Sequence, residues 1–588
     1  MMSDLSKQID ALSAKKRKLF ELLLKQENES VLSSQKVPFE SPIAPCRDVA
    51  CNVSTPVVSA QGKGKESEVK SPLDQLPIIV PDKEGRYKPF ALTDVQQAYW
   101  IGRNGTYELS NVATHGYQEI DCFELDLPQF NLAWQRLIDQ HDMLRAVFLP
   151  DGRQQILQQV PLYHIEVLDL RGEDPAAVAS HLAAVRDRMS HQVLPADKWP
   201  LFEIRASRLD EKRIRLHISL DLLIGDAWSF IILSRTLFQL YHNPQTTLVP
   251  LEISFRDYVL AEERLRETPF YQRSLDYWRN RLPDLPPAPE LPLARNPRTL
   301  TQPRFVRRQA RLEPETWSRL KVRTSQSGLT PSGVVLTAFA SVLSAWSKSP
   351  RFTINLPLFN RLPLHPQVNE IIGDFTSVTL LAVDNSVPES FEIRAQRLQK
   401  QLWQDLEHRY YSGVQVLRDL AREQGGATAA SQPIVFTSTI GLSELGEDIV
   451  SPRPLLEVVY SISQTPQVWL DNQVSEQAGA LVFNWDAVED LFPAGLLDDM
   501  FDAYCCLLGR LAVQEESWQE TVRQLLPLAQ LEQRAVVNAT EVPVPERLLH
   551  TLFAAQVSQR PQQVAVVASG QTLTYEELSM RSNQVGRL

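Results

Sequence analysis

Residues 212–241, KRIRLHISLDLLIGDAWSFIILSRTLFQLY, carry the pattern that decides the fold. In the first ten residues apolar and polar side chains alternate, with the period of two that is typical of a half-buried β-strand. An apolar run of helical length follows. Asp221 ends the predicted strand and Asp226 precedes the predicted helix, so two carboxylates flank a strand-to-helix turn. Strand-like and helix-like segments alternate in this way along most of the chain, which predicts an α/β fold.

The spacing of Asp221 and Asp226 alone leaves two interpretations open. The two carboxylates can act as an acid and a base, orient a loop, or bind a cation. Alternatively, Asp226 is an ordinary N-cap of the helix and Asp221 pairs with an arginine.

Two later segments also combine the strand pattern with polar side chains. QPIVFTSTIG (432–441) places Thr437 on one face of a predicted strand, and SQTPQVWLDNQV (463–474) places Gln467 and Asp471 on one face of another. A buried carboxylate needs partners, whereas an edge strand would expose these groups to water. Both arrangements are compatible with the sequence.

Composition excludes several classes of protein. The 588 residues include 71 acidic and 60 basic ones, which leave a net charge of −11 and argue against a nucleic-acid-binding protein. No apolar run reaches the roughly 18 residues of a membrane span, and five unpatterned cysteines suit a reduced cytoplasmic compartment. The chain lacks the glycine-rich phosphate loops and the HExxH and GxSxG motifs, which argues against dinucleotide enzymes, P-loop ATPases, zinc proteases and α/β-hydrolases.

Changes in composition divide the chain. The proline-rich stretch LPDLPPAPELPLARNP (282–297) predicts an extended crossover between two lobes. The predicted segments are a helical docking or linker segment at 1–30, a flexible linker at 31–79, an N-terminal lobe at 80–285, a C-terminal lobe at 286–530, and a linker with the start of a further domain at 531–588.

These motifs resemble those of a known family. Asp221-x4-Asp226-x2-Ser229 resembles the DxxxxDxxS signature of the heterocyclization domains of nonribosomal peptide synthetases, which belong to the condensation-domain superfamily. The other motifs of that family follow in the expected order, as FALTDVQQAYWIGR (90–103), QHDMLRAVF (140–148), LPPAPELPL (285–293), TPSGVVLTAFASVLSAW (330–346), GDFTSVTLL (373–381), PIVFTS (433–438) and SQTPQVWLD (463–471). Residues 573–588 resemble the beginning of an adenylation domain, inside which the chain looks truncated.

The resemblance implies a fold and two reactions. The implied fold is a V-shaped pseudo-dimer of two chloramphenicol-acetyltransferase-like lobes with a tunnel between them. In the first reaction, the amine of a carrier-bound Cys, Ser or Thr thioester attacks an upstream acyl or peptidyl thioester. In the second, the side-chain thiol or hydroxyl attacks the new amide, and loss of water gives a thiazoline or oxazoline.

The resemblance also implies roles for individual residues. Asp471 would be the acid/base group of ring closure, Thr437 would orient it, and Gln467 would polarise the amide carbonyl. Asp226 would be architectural and held by Arg361. Asp221 and Ser229 complete the signature motif.

Ordinary condensation domains carry HHxxxDG where this chain has Asp221 and Leu222 in the two histidine positions. Leucine cannot exchange a proton, so amide formation is expected to depend on positioning the two thioesters.

The expected partners follow from the same resemblance. Substrates would arrive on the phosphopantetheine arms of an upstream and a downstream carrier protein, the upstream one docking through residues 1–30 unless that helix packs in cis. The domain itself would bind no cofactor. ATP and magnesium would belong only to the remainder of the adenylation domain in cis, and no nucleic acid or membrane is expected. The alternative functions are a condensation-only domain that makes a linear amide and a non-catalytic carrier-docking module.

Overall fold

The computed structural model describes residues 76–103, 109, 111–424, 426, 430–442, 456–521, 525–541 and 548–588. The helix predicted at 1–30 and nearly all of the linker predicted at 31–79 lie outside these residues. The chain divides into two compact units, Met1–Val522 and Arg523–Leu588.

The first unit contains the two predicted lobes. The strands of the N-terminal lobe are β1 (Phe90–Ala91), β2 (His115–Phe123), β3 (Ala146–Phe148), β4 (Arg153–Ile156), β5 (Glu166–Asp169), β6 (Phe202–Arg208) and β7 (Arg213–Asp221). Its helices are α1 (Asp94–Gly102), α2 (Leu127–Gln140), α3 (Pro175–Met189), α4 (Ala227–His242), α5 (Phe255–Arg264) and α6 (Pro269–Arg281). The strand and helix predicted for residues 212–241 are thus confirmed as β7 and α4.

The C-terminal lobe is built on a second sheet. Its strands are β8 (Phe305–Leu312), β9 (Arg351–Phe359), β10 (Thr376–Asp384), β11 (Ile434–Ser438), β12 (Leu456–Gln464), β13 (Leu470–Gln477) and β14 (Ala480–Val488). Its helices are α7 (Pro314–Gln326), α8 (Pro331–Trp346), α9 (Phe391–Glu407), α10 (Gly413–Gln424), α11 (Leu496–Val513) and α12 (Glu516–Gln519). The order in this six-stranded sheet is β10-β9-β11-β13-β14-β8.

Helix α8 is a buried helix in the core of the C-terminal lobe. Thr330 caps it, with its hydroxyl accepting a hydrogen bond from the Gly333 amide, and Pro331 occupies the first turn, where a missing N–H costs least. Almost every residue of the helix is buried, as expected for a helix that is apolar all round.

Strand β12 crosses from one lobe to the other. Although it lies in the C-terminal lobe by sequence, it pairs with β2 in register from Leu456–Cys122 to Gln464–His115. The five-stranded sheet of the N-terminal lobe therefore has the order β12-β2-β7-β6-β5. The two lobes share a sheet, and the crossover strand returns directly to β13 on the other sheet.

The second unit contains α13 (Leu528–Asn538), α14 (Leu549–Gln559), β15 (Val564–Ala568), β16 (Gln571–Thr574) and α15 (Tyr575–Val585). The strand β16 leads directly into α15, where Thr574 and Glu577 form a capping box at the N-terminus of the helix. None of the three helices of this unit has a buried residue.

Among the residues that the structure describes, no single helix is both long and apolar enough to cross a membrane. One pair of helices, α7 and α8, passes the same test only together, by length and composition, and is bent by 98°.

Candidate active site

A large cavity lies within the first unit and has walls from both lobes. Its volume is about 1200 Å³, which is above the roughly 300–1,000 Å³ that is typical of small-molecule sites. The N-terminal lobe contributes Tyr99, Ile218 and Phe230, and the C-terminal lobe contributes Thr437 and Asp471. Both lobes therefore border the space next to the carboxyl group of Asp471.

Asp471 and Thr437 come together because their strands are neighbours. Strands β11 and β13 run parallel in the middle of the sheet, and the Thr437 hydroxyl donates a 3.0 Å hydrogen bond to Oδ1 of Asp471. On the other side, Nε2 of Gln473 donates a 2.7 Å hydrogen bond to Oδ2 of Asp471. The alternative of an exposed edge strand is wrong for Asp471, because β13 lies between β11 and β14.

The environment of Asp471 favours proton exchange near neutrality. Desolvation raises the pKa of Asp471 to about 6, and the neighbouring carboxylate of Asp486 adds to the rise. Hydrogen bonds from Gln473 and Thr437 and the charge of Arg307 lower the pKa and so limit the shift. A carboxyl group with such a pKa is deprotonated in most molecules at pH 7 and can still return a proton.

The structure corrects the prediction for Gln467. This residue is not on a strand with Asp471, because β12 ends at Gln464 and β13 begins at Leu470. Gln467 lies in the intervening turn with a φ of +66°, in the left-handed region. Its side chain is exposed, and it lines the same cavity as Asp471.

The sequence analysis missed two residues at this site. Asn355 on β9 is in register with Val435 of β11, lines the cavity, and has a buried Oδ1 without a hydrogen-bond partner in the described residues. Gln473 touches Asp471 directly. The alternation of β13 could have found Gln473, since it lies two residues after Asp471 and on the same face.

The side chain of Asp226 is buried together with those of Ser229 and Arg361 in a group that we call the Asp226 cluster, and it also lines the cavity. Its Oδ1 caps α4 by accepting hydrogen bonds from the amide and the hydroxyl of Ser229, at 2.8 and 2.6 Å. Arg361 is 2.9 Å from the same oxygen and also donates to the carbonyls of Val368 and Ile371. This is the ion pair that the sequence analysis expected.

Asp221 also pairs with an arginine. Nη2 of Arg103, which follows α1, is 2.7 Å from Oδ2 of Asp221, and both side chains are buried. The amide of Leu223 donates to Oδ1 of the same carboxylate. The structure thus shows Asp226 as the N-cap of α4 and Asp221 in a pair with an arginine. The described residues contain no cluster of three or more metal-binding side chains.

Comparison with known proteins identifies the family. A family model described as the condensation domain matches residues 89–531. Pyochelin synthetase PchF of Pseudomonas aeruginosa is 41% identical over 436 residues, and bacitracin synthase 1 of Bacillus licheniformis is 36% identical over 520 residues. These matches cover 74% and 87% of this chain but only 24% and 10% of the relatives, so the chain spans a small part of their length.

Solved structures also match this chain. The EpoB cyclization-docking bidomain from Sorangium cellulosum, part of a nonribosomal peptide synthetase, is 43% identical with a TM-score of 0.69. The match covers 76% of this chain and 89% of that one. The X-domain from teicoplanin biosynthesis, at 18% identity and a TM-score of 0.60, shares the fold alone. The predicted chloramphenicol-acetyltransferase-like fold is confirmed, and the chain belongs to the condensation-domain family, as a heterocyclization domain of a nonribosomal peptide synthetase.

Proposed function

We propose that this domain joins an upstream acyl or peptidyl thioester to a carrier-bound Cys, Ser or Thr and then closes the product to a thiazoline or oxazoline. The observation that carries the proposal is Asp471, a carboxyl group on the wall of a two-lobed cavity, held by Thr437 and with a pKa near 6. A carboxyl group in a cavity with a pKa raised by desolvation is suited to accept and to return a proton.

Amide formation depends on positioning. Leu222 lines the cavity and cannot exchange a proton, so no base is available at that position. Holding the amine against the thioester supplies up to about 7–11 kcal/mol in well-oriented cases, which is enough for an activated acyl group.

Ring closure needs acid/base catalysis because an amide is a poor electrophile. Asp471 takes the proton of the side-chain thiol or hydroxyl as that atom bonds to the amide carbon, and it returns the proton to the carbonyl oxygen. In the second half of the reaction Asp471 takes the amide N–H proton and gives it to the hydroxyl, which leaves as water while C=N forms. Positioned groups of this kind contribute about 10²–10⁴-fold.

The remaining site residues have supporting roles. Thr437 fixes the orientation of Asp471, and Gln467 with Asn355 supplies amide groups at the cavity wall that can hold the reacting carbonyl. The other motif residues have a structural role, because the side chain of each is buried and makes hydrogen bonds or ion pairs within the fold. They are Asp221, Asp226, Ser229 and Arg361.

The partners follow from this chemistry. Both substrates arrive as thioesters on the phosphopantetheine arms of carrier proteins, the upstream carrier engaging residues 1–30 and the downstream one bearing Cys, Ser or Thr. Residues 531–588 form a linker and the start of an adenylation domain, and ATP and magnesium bind only to the remainder of that domain. The synthetase works in the cytoplasm.

Product mass tests the proposal. Acyl-loaded upstream carrier and cysteinyl-loaded downstream carrier are mixed with the parent, Asp471→Asn or Asp226→Ala chain, and the carrier-bound product is weighed. The parent should give a product lighter than the linear amide by one water, and Asp471→Asn should stop at the linear amide. Asp226→Ala should lose both products together.

A linear amide from the parent itself would support the condensation-only alternative. No product from the parent, with pathway output unchanged by Asp471→Ala, would support the docking module.

A further inference from the structure

The side chain of Gln473 connects Asp471 to a charged network on the other strands of the sheet. Gln473 lies two residues after Asp471 on β13, on the same face. Its Nε2 donates to Oδ2 of Asp471 at 2.7 Å and to the hydroxyl of Ser463 on β12. The mechanism above gives this residue no role.

The orientation of the Gln473 amide is fixed by a neighbouring arginine. Nη2 of Arg307, on β8, is 3.2 Å from Oε1 of Gln473. A guanidinium can only donate hydrogen bonds, so the atom that faces it must be the oxygen of the amide. The NH₂ group of Gln473 is therefore turned toward Asp471, where it can only donate.

Arg307 is itself held by a buried carboxylate. Nε of Arg307 donates to Oδ1 of Asp486 at 2.7 Å, and Asp486 on β14 is fully buried. The amide and the hydroxyl of Ser463 donate to Oδ2 of Asp486 at 3.0 and 2.8 Å, and Arg307 also donates to the hydroxyl of Ser461. Ser461 and Ser463 belong to β12, whose backbone is part of the sheet of the other lobe.

We propose that Gln473 is the positioning residue for Asp471, and that Arg307, Asp486 and the crossover strand β12 hold its amide in place. This inference rests on the proposed function, because it presumes that Asp471 acts in ring closure. It predicts that ring closure depends on contact between the lobes at β12, whereas amide formation does not.

The network acts on Asp471 through opposing contributions. The groups that face Asp471 are Asp486 on β14, Arg307 on β8 and Tyr99 on α1, whose pKa burial raises well above its usual value so that it stays neutral. The Gln473 hydrogen bond lowers the pKa of Asp471, and the Asp486 charge raises it. Loss of Gln473 and neutralisation of Asp486 should therefore move the pKa of Asp471 in opposite directions.

The test is the pH dependence of ring closure in the full chain, with acyl-loaded and cysteinyl-loaded carriers as substrates. In Gln473→Leu the acidic limb of the profile should move to higher pH, and the rate at pH 6 should fall about tenfold or more. In Asp486→Asn the limb should move to lower pH. The matched control is Gln309→Leu on β8, since Gln309 is exposed and should leave the profile unchanged.

The rate of amide formation serves as the folding check, and Gln473→Met replaces Gln473→Leu if the leucine variant fails that check. A parental acidic limb in a Gln473 variant that still forms the amide would overturn the inference, as would shifts of Gln473 and Asp486 variants in the same direction. Asp471→Asn in the same assay separates the two proposals. Parental ring closure by Asp471→Asn would reject the proposed function, whereas its loss together with an unshifted Gln473→Leu profile would reject only the role of Gln473.

Discussion

The carboxylates of Asp226 and Asp471 both line the cavity, but they differ in their hydrogen-bond and ion-pair partners. Asp226 is buried in direct contact with Arg361, which also donates to two backbone carbonyls, and Ser229 donates to the same carboxylate oxygen. Asp471 is half-buried at the cavity, and in the described part of the chain it makes no ion pair. Its hydrogen-bond partners there are a hydroxyl and an amide. The ion pair with Arg361 holds Asp226 in place, whereas desolvation raises the pKa of Asp471 to about 6 and leaves that carboxyl group able to exchange a proton.

The largest expected effect comes from removing Arg361 from the Asp226 cluster. Arg361→Ala leaves the Asp226 charge buried without a cation, which typically costs about 3–5 kcal/mol of unfolding free energy. Urea unfolding should show this loss, and both reactions should decline with the folded population.

The control is an exposed ion pair that, like the Asp226–Arg361 pair, links the region of α4 to residues 361–370. Arg235 of α4 is 3.2 Å from Glu370 in an exposed pair, and such pairs contribute about 0–1 kcal/mol. Equal losses of stability in Arg235→Ala and Arg361→Ala would contradict the architectural role of Asp226.

The next effect concerns the hydrogen bond between Thr437 and Asp471. Thr437→Val keeps the shape of the side chain but removes the hydrogen bond to Asp471. Hydrogen bonds to charged groups contribute about 1.5–3 kcal/mol, so ring closure should fall about 10–100-fold while amide formation stays constant. Single-turnover rates of the two steps measure this separation.

Thr379→Val is the matched control, because Thr379 lies on β10 of the same sheet and its buried hydroxyl has no partner in the described residues. That variant should keep both rates. A loss of amide formation equal to that of ring closure in Thr437→Val would mean that Thr437 supports the whole cavity rather than Asp471.

The last expected effect, and the smallest when it is counted per pH unit, is a pH dependence of stability beside the Asp226 cluster. Desolvation raises the pKa of Asp374 to about 8, above its value in the unfolded chain. The native state then binds more protons than the unfolded state between about pH 4 and 8, so stability falls as pH rises through this window. Asp374→Asn removes that fall, worth at most about 1.4 kcal/mol per pH unit.

Unfolding free energies at pH 6, 7 and 8 measure this difference. The advantage of Asp374→Asn over the parent should grow with pH. A constant difference would mean that Asp374 is ionised in the native protein throughout the range.

The sequence predicted those features that depend on residues within a single segment. The strand and helix of residues 212–241, the cap at Thr330 and the order of the family motifs each lie within one segment, so periodicity and capping rules identify them. The contact between Thr437 and Asp471 required the resemblance, because the two residues come from separate strands.

Other features depended on pairing between distant segments. Asn355 reaches the site only because β9 pairs with β11, and β12 joins the sheet of the other lobe across more than 300 residues of sequence. Gln467 was predicted to lie on a strand because the alternation of polar and apolar residues continues through it. That pattern does not reveal that Gln467 has a positive φ and lies in a turn between two strands. These features are set by tertiary packing, which single-segment patterns do not contain.

The most direct test of the account is the single-turnover rate of ring closure as a function of pH, for the parent and for Asp471→Asn. With a pKa near 6 for Asp471, the parental rate should rise between about pH 5 and 7 and then level off, because the deprotonated carboxylate starts the reaction. Asp471→Asn should be about 10²–10⁴-fold slower and lack that rise, with amide formation unchanged. A variant that keeps both the parental rate and the parental rise would contradict the assignment of Asp471 as the acid/base group.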